Sequence, residues 1–282
     1  MLVNTKEIVL KAMMQNYAVP QFNINNLEWI KFILLECEEN KSPVILGVSE
    51  SSLKYMMGAK NVVDMVKNTI SYLNITVPVA IHLDHAKSFD ICKVAIDEGF
   101  TSVMIDASYC NLYKNIDITN KVVTYSKNHK VSVEGEIGQV GKEDSSGTHD
   151  VELANVNDCI KYVESTKIDL LAPSLGSVHG FYKEEANIDF DSMKILSTKL
   201  NIPLVLHGGS GLEEEKIRKA INYGVSKINF NTELQVSWAK GVKEYLNNNN
   251  EYDPRKVISS GGIGLRNCVR DKIMLLKSNG KG

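Results

Sequence analysis

Residues 77–85 read VPVAIHLDH, an apolar run from Val77 to Ile81 that gives way to His82, Asp84 and His85. A central strand of a parallel sheet is covered on both faces, so it reads as an unbroken apolar stretch rather than an alternation. Ser88 follows as an N-cap, and Phe89, Cys92, Val94 and Ala95 then recur at helical spacing up to Gly99. Strand, polar tip and helix form one βα unit. In an α/β barrel the residues at such a tip lie on the catalytic face, which makes Asp84 and His85 site candidates.

The same unit repeats in both directions. Upstream, residues 18–22 form a weaker first strand interrupted by Pro20, a helix spans 27–39, and the apolar run at 43–48 ends at Ser49 before a helix near 62–72. Downstream, strands are expected at 101–106, 131–137, 168–173, 202–206 and 225–230, each followed by a helical pattern, and the sixth reaches on to His179. Eight strands alternating with helices over 19–245, with no linker between, predict one closed (β/α)8 TIM barrel, a single domain over 1–282. Residues 5–16, beginning at a Thr cap, form an amphipathic N-terminal helix suited to closing one barrel end. Residues 247–282 form a C-terminal extension with a helix at 265–276. The stretch 138–150, GQVGKEDSSGTHD, is polar and aperiodic, a loop long enough to be an active-site lid or disordered.

Composition narrows the function. The chain has 282 residues, 43% hydrophobic and 23% charged, with a formal charge of −2, so it carries no basic field for nucleic acid or an anionic membrane. Five cysteines are scattered singly without metal-finger spacing and read as reduced thiols of a cytoplasmic protein. No targeting segment or membrane-spanning run is visible.

Three of the six histidines, His85, His179 and His207, fall at predicted strand ends. Converging on one rim, they have the composition of a catalytic zinc site with an open position, which polarises carbonyl oxygens. His129 and His149 lie in polar stretches and read as solvated, and His82 reads as a core group or one that orients a ligand. Asp84 is placed either to move protons beside the metal or to orient a ligand by a hydrogen bond. Asp106 and Glu136, at neighbouring tips, could form a second metal position or pair with lysines. Gly208 to Gly211 after strand seven and Asn229 to Thr232 after strand eight occupy the place where barrels bind phosphate, on backbone N–H groups and a helix N-terminus. Lys183 could add positive charge there. Glu143 and Asp144 are loop carboxylates able to close over a substrate.

Taken together, HLDHAKSFD, SVMIDAS, VEGEIGQVG, LAPSLGSVHGFYK, PLVLHGGSGL and KINFNTELQ, in that order, resemble the class II, metal-dependent fructose-bisphosphate aldolases, and their spacing is most similar to the shorter bacterial branch. The resemblance implies Zn2+ or another divalent ion held by His85, His179 and His207, with Glu136 and Asp106 as metal-associated carboxylates and a possible monovalent cation. It implies that Asp84 exchanges a proton with the C4 hydroxyl of fructose 1,6-bisphosphate, and that Glu143 removes the dihydroxyacetone phosphate proton. Substrate and phosphate contacts map to Ser49, Gly180, Lys183, Gly208, Ser210, Asn229, Asn231 and Thr232. Glyceraldehyde 3-phosphate is the other product, and a cytoplasmic homodimer or homotetramer is implied. The sequence departs from the family pattern at Gly141-Lys142, where a double glycine is usual, which leaves Asp144 as the alternative loop acid. It departs again at Ala86 and at Glu184, whose charge is expected to face solvent. The alternatives are a tagatose-1,6-bisphosphate aldolase, against which Asn231 speaks by resemblance, and a non-catalytic sugar-phosphate-binding barrel.

Overall fold

A computed structural model describes residues 1–144, 147–149, 152–182 and 184–282, with the side chains of 142–144 and 147–149 outside the described set. Its strands are β1 (Val19–Asn23), β2 (Val44–Ser49), β3 (Val79–Ala86), β4 (Ser102–Ile105), β5 (Ser132–Ile137), β6 (Gly141–Asp144), β7 (Gly147–His149), β8 (Leu170–Pro173), β9 (Val178–His179), β10 (Leu204–Leu206) and β11 (Val225–Phe230). Its helices are α1 (Thr5–Gln15), α2 (Leu27–Glu39), α3 (Glu50–Tyr55), α4 (Ala59–Tyr72), α5 (Phe89–Glu98), α6 (Leu112–Lys127), α7 (Val156–Thr166), α8 (Phe190–Lys199), α9 (Glu214–Asn222), α10 (Thr232–Asn248), α11 (Pro254–Ser259) and α12 (Gly262–Leu275).

Eight strands close into a parallel barrel in the order β1-β11-β10-β8-β5-β4-β3-β2, which is the (β/α)8 architecture read from the repeating units. The interior is layered. At the N-terminal strand ends, Val19, Ile45, Ala80, Met104, Leu170 and Val205 pack with Ile8, Val9 and Ala12 of α1, so the first helix stoppers the barrel. Further up lie Gln21, His82, Glu134 and Lys227, all fully buried. Between barrel and helices runs a second apolar layer that includes Phe22, Leu46, Ile81, Val103, Leu171 and Phe230.

Several expectations change. The cap of α1 is Asn4, whose side chain accepts the Lys6 N–H at 2.9 Å, rather than Thr5, which is buried. The extra helix α3 follows β2 directly, with Ser49 as its N-cap accepting from Ser52 N–H at 3.2 Å. The aperiodic stretch after β5 contains β6 and β7, an antiparallel pair extended by β9. Strands this short leave no period to read. His179 therefore belongs to this small sheet and not to the tip of a barrel strand. The C-terminal helix is also more than an appendage, since Leu265, Val269, Ile273 and Leu276 of the α12 region are buried in the layer outside the barrel. Among the described residues, no helix is long and apolar enough to cross a membrane.

Candidate metal and substrate site

Alternation in β3 turns His82 and Asp84 toward the barrel axis and would turn His85 outward. The β3–β4 register slips between Leu83 and Ala86, and His85 takes a left-handed φ of +53°. This bulge re-aims the imidazole, so that Asp84 and His85 both line a cavity of about 570 Å³ at the C-terminal mouth of the barrel. His207, directly after β10, and His179, on β9, meet it there. The ligand atoms of the three rings lie within 4.8 Å of one another, and the ring centroids are 4.6 to 5.8 Å apart.

The outer contacts of two rings fix their protons. His85 Nδ1 lies 2.9 Å from Asp106 Oδ2, and His207 Nε2 lies 2.9 Å from Glu134 Oε1. An ionised carboxylate only accepts, so those nitrogens carry hydrogens, and in the neutral rings the others carry lone pairs. Those other nitrogens, His85 Nε2 and His207 Nδ1, face each other at 3.0 Å. Two lone pairs at that distance repel unless a cation or proton lies between them. Nitrogens about 2.05 Å from a tetrahedral zinc are about 3.3 Å apart, so the rings fit a shared divalent ion. The surrounding charge agrees. Burial lowers the proton affinity of His85, but Asp106, Asp84 and Glu136 outweigh it and raise the imidazole to about 9, the signature of a place built for positive charge.

Asp84 is buried; Asn23 Nδ2 donates to its Oδ2 at 3.1 Å, and its Oδ1 has no hydrogen-bond partner among the described residues. Burial raises its pKa, yet the charges of His85, His207, His82 and Lys227 hold the carboxyl well below the usual carboxylate range. It is thus an ionised acceptor with a free oxygen. Glu136 lies 3.6 Å from His85 Nδ1, and burial, aided by Asp106 against His85, pushes it up to about 8.

The phosphate candidates also gather at this mouth. Gly180, Gly208, Ser210, Asn229, Asn231 and Thr232 all line the cavity, as does Ser49 at the end of β2. Gly208 has φ +68°, and a Cβ there would lie 2.2 Å from the Val178 carbonyl, so only glycine lets this loop lie against β9. The Ser210 hydroxyl accepts the Asn231 and Glu233 N–H groups at 3.2 and 3.4 Å, tying the loop to the N-terminus of α10. Lys183 and the side chains of Glu143 and Asp144 lie outside the described residues, as does that of His149. Glu184 and His129 are exposed, as expected.

Sequence reasoning left out the supports beneath the site. Lys227 Nζ donates to Glu134 Oε2 at 2.6 Å, both fully buried, and Asn229 Nδ2 reaches His207 Nδ1 at 3.2 Å. Asn23, Lys87 and Tyr109 also line the cavity. A period of two would have found some of them, because Lys227, Glu134 and Gln21 each stand two residues before an inward-facing Asn229, Glu136 or Asn23. His82 is wholly buried, its Nδ1 2.7 Å from Ser102 Oγ, which makes it a core group below the site. A slightly larger cavity of about 630 Å³ between α9, α10 and α12 carries the Glu233–Lys272 ion pair but neither ligating group found among the described residues, so size does not select the site.

A family model described as "Fructose-bisphosphate aldolase class-II" matches residues 3–281. The chain is 51% identical over 282 residues to a protein named fructose-bisphosphate aldolase from Geobacillus stearothermophilus, covering 99% of this chain and 98% of that one. A protein of the same name from Staphylococcus epidermidis is 50% identical over 274 residues, 96% of each chain. Among solved structures, the YdjI aldolase from Escherichia coli K12 superposes with a TM-score of 0.88 at 29% identity, over 100% of this chain and 99% of that chain. Fructose-bisphosphate aldolase from Campylobacter jejuni gives 0.85 at 25% identity, over 100% and 97%.

Proposed function

The chain belongs to the class II fructose-bisphosphate aldolase family, and from that premise we propose that it is a lyase cleaving fructose 1,6-bisphosphate reversibly to dihydroxyacetone phosphate and glyceraldehyde 3-phosphate, with zinc at the three histidines. The observation that carries this reading is the pair of ring nitrogens, His85 Nε2 and His207 Nδ1, turned toward each other at 3.0 Å, with the His179 ring beside them. A divalent ion bound there supplies Lewis acidity that draws electron density from the substrate ketone.

Asp84, held ionised, accepts the proton of the C4 hydroxyl as the C3–C4 bond breaks, which leaves the C4 fragment as an aldehyde. The electron pair stays on C3, and the family resemblance assigns Glu143 to deliver the proton that completes dihydroxyacetone phosphate. In the reverse direction the same groups act with their proton states exchanged. One phosphate is held by backbone and hydroxyl groups of Gly208, Ser210, Asn229 and Thr232, with Gly180 and Lys183, at the N-terminus of α10. Ser49 serves the opposite end of the substrate, and Asn231 orients its hydroxyls. A cytoplasmic homo-oligomer is proposed on the family resemblance, and five free cysteines suit a reducing compartment.

The test is metal analysis joined to a cleavage assay on fructose 1,6-bisphosphate. Chelation is expected to remove the ion and the activity together, and added zinc to restore both. Turnover that survives in fully demetallated protein overturns the assignment.

A further inference from the structure

Two groups of ligating side chains among the described residues share one member: His85 with His179 and His207, and His85 with Asp106 and Glu136. A neutral imidazole has a single lone pair. On His85 it lies at Nε2, toward His207, because Nδ1 donates to Asp106. Serving both groups through His85 would require an imidazolate, so a second ion could use only the carboxylates of Asp106 and Glu136.

The second group already holds a positive charge. Lys87 Nζ donates to Asp106 Oδ2 at 2.6 Å, the same oxygen that meets His85 Nδ1. The other carboxylate oxygen is filled by the Ser108 N–H at 3.2 Å and its hydroxyl at 2.6 Å. Lys87 is also fixed more firmly than a solvated loop lysine. Its N–H donates to Glu50 Oε1 at 2.7 Å, its ammonium lies 5.6 Å from the Tyr109 ring centre, and the Tyr109 hydroxyl donates to its carbonyl at 3.4 Å. Only Glu136 Oε2 in this group is left without a hydrogen-bond partner among the described residues.

We infer that Lys87 is the resident cation of the His85–Asp106–Glu136 group, holding Asp106 as the orienting partner of His85 and limiting the chain to one divalent ion. This rests on the metal centre proposed above, which it deepens. Asp106 then aligns the imidazole through its Nδ1–H instead of binding metal itself.

The test counts ions per chain. Metal-free wild type, Lys87→Met, Lys87→Arg and the double variant Lys87→Met/Asp106→Asn are dialysed against Co2+ alone, and bound cobalt is measured. The Lys87 side chain is 56% exposed, so methionine is tolerated there, and Lys87→Gln serves as a second neutral variant should methionine disturb folding. One ion is expected in wild type and in Lys87→Arg, two in either neutral variant, and one again in the double variant. Two ions in wild type, or one in both neutral variants, overturns the inference. A wild-type count of zero overturns the proposed metal centre instead, and the lysine's role then stands or falls on whether its neutral variants gain an ion.

Discussion

Asp84 and His85 are adjacent in the chain yet present their side chains to the same cavity, because the strand bulges at His85, whose φ is +53°. In the proposed reaction one residue accepts a proton and the next holds the metal, both from a single strand.

Asp84→Asn should separate the two roles. Asparagine keeps an oxygen for Asn23 but is a far weaker base, so kcat for fructose 1,6-bisphosphate cleavage should fall by about 10²–10⁴. Bound zinc per chain, measured on the same sample, should stay unchanged. Loss of metal in parallel with activity would show that Asp84 acts by holding the site together.

The buried Glu134–Lys227 pair should behave as a unit. Removing one partner strands a charge inside the barrel, so Lys227→Met is expected to cost about 3–5 kcal/mol of stability. Glu134→Gln/Lys227→Met should cost less than the sum of its single variants, read by denaturant unfolding. Strict additivity would contradict the coupling seen at 2.6 Å.

A second buried carboxylate fastens the C-terminal helix. Glu36 accepts from Arg266 Nε at 2.8 Å, Arg270 Nε at 2.7 Å and Asn40 Nδ2 at 2.9 Å, bridging α2 and α12. Both arginines are partly exposed, so Glu36→Ala should cost about 1–3 kcal/mol, less than a wholly buried pair. The expected outcome is a melting temperature lower by several degrees, with α12 the first segment to lose hydrogen-exchange protection.

Glu38 should add an acid-sensitive contribution to stability. Burial raises its carboxyl, but hydrogen bonds from Lys41, the Thr76 N–H and hydroxyl, and the Val77 N–H outweigh it and bring the pKa down to about 2 from the ordinary 4.5. A depressed folded-state pKa stabilises above the unfolded value and is lost as pH falls through the folded one. The stability gap between wild type and Glu38→Gln should therefore be full above pH 4.5, shrink below it and close near pH 2. A gap that stayed constant across this range would exclude the mechanism.

The barrel and its mouth were legible because each apolar strand stops at a polar tip, as at His85, and because Gly208 and Asn229 fall near the ends of such strands. His179 was read as the end of a barrel strand but lies in the small sheet, since a two-residue strand has no periodicity to reveal it. Glu134 and Lys227 were hidden for a different reason. A charge within an apolar strand is neutralised by a partner 93 positions away, and only barrel closure sets that distance. Lys87 carried no signal in the sequence, because only the fold lays it against Asp106.

The stopper formed by α1 makes the reaction chamber a cul-de-sac. In the proposed reaction the sugar and its fragments therefore share one doorway, the C-terminal mouth.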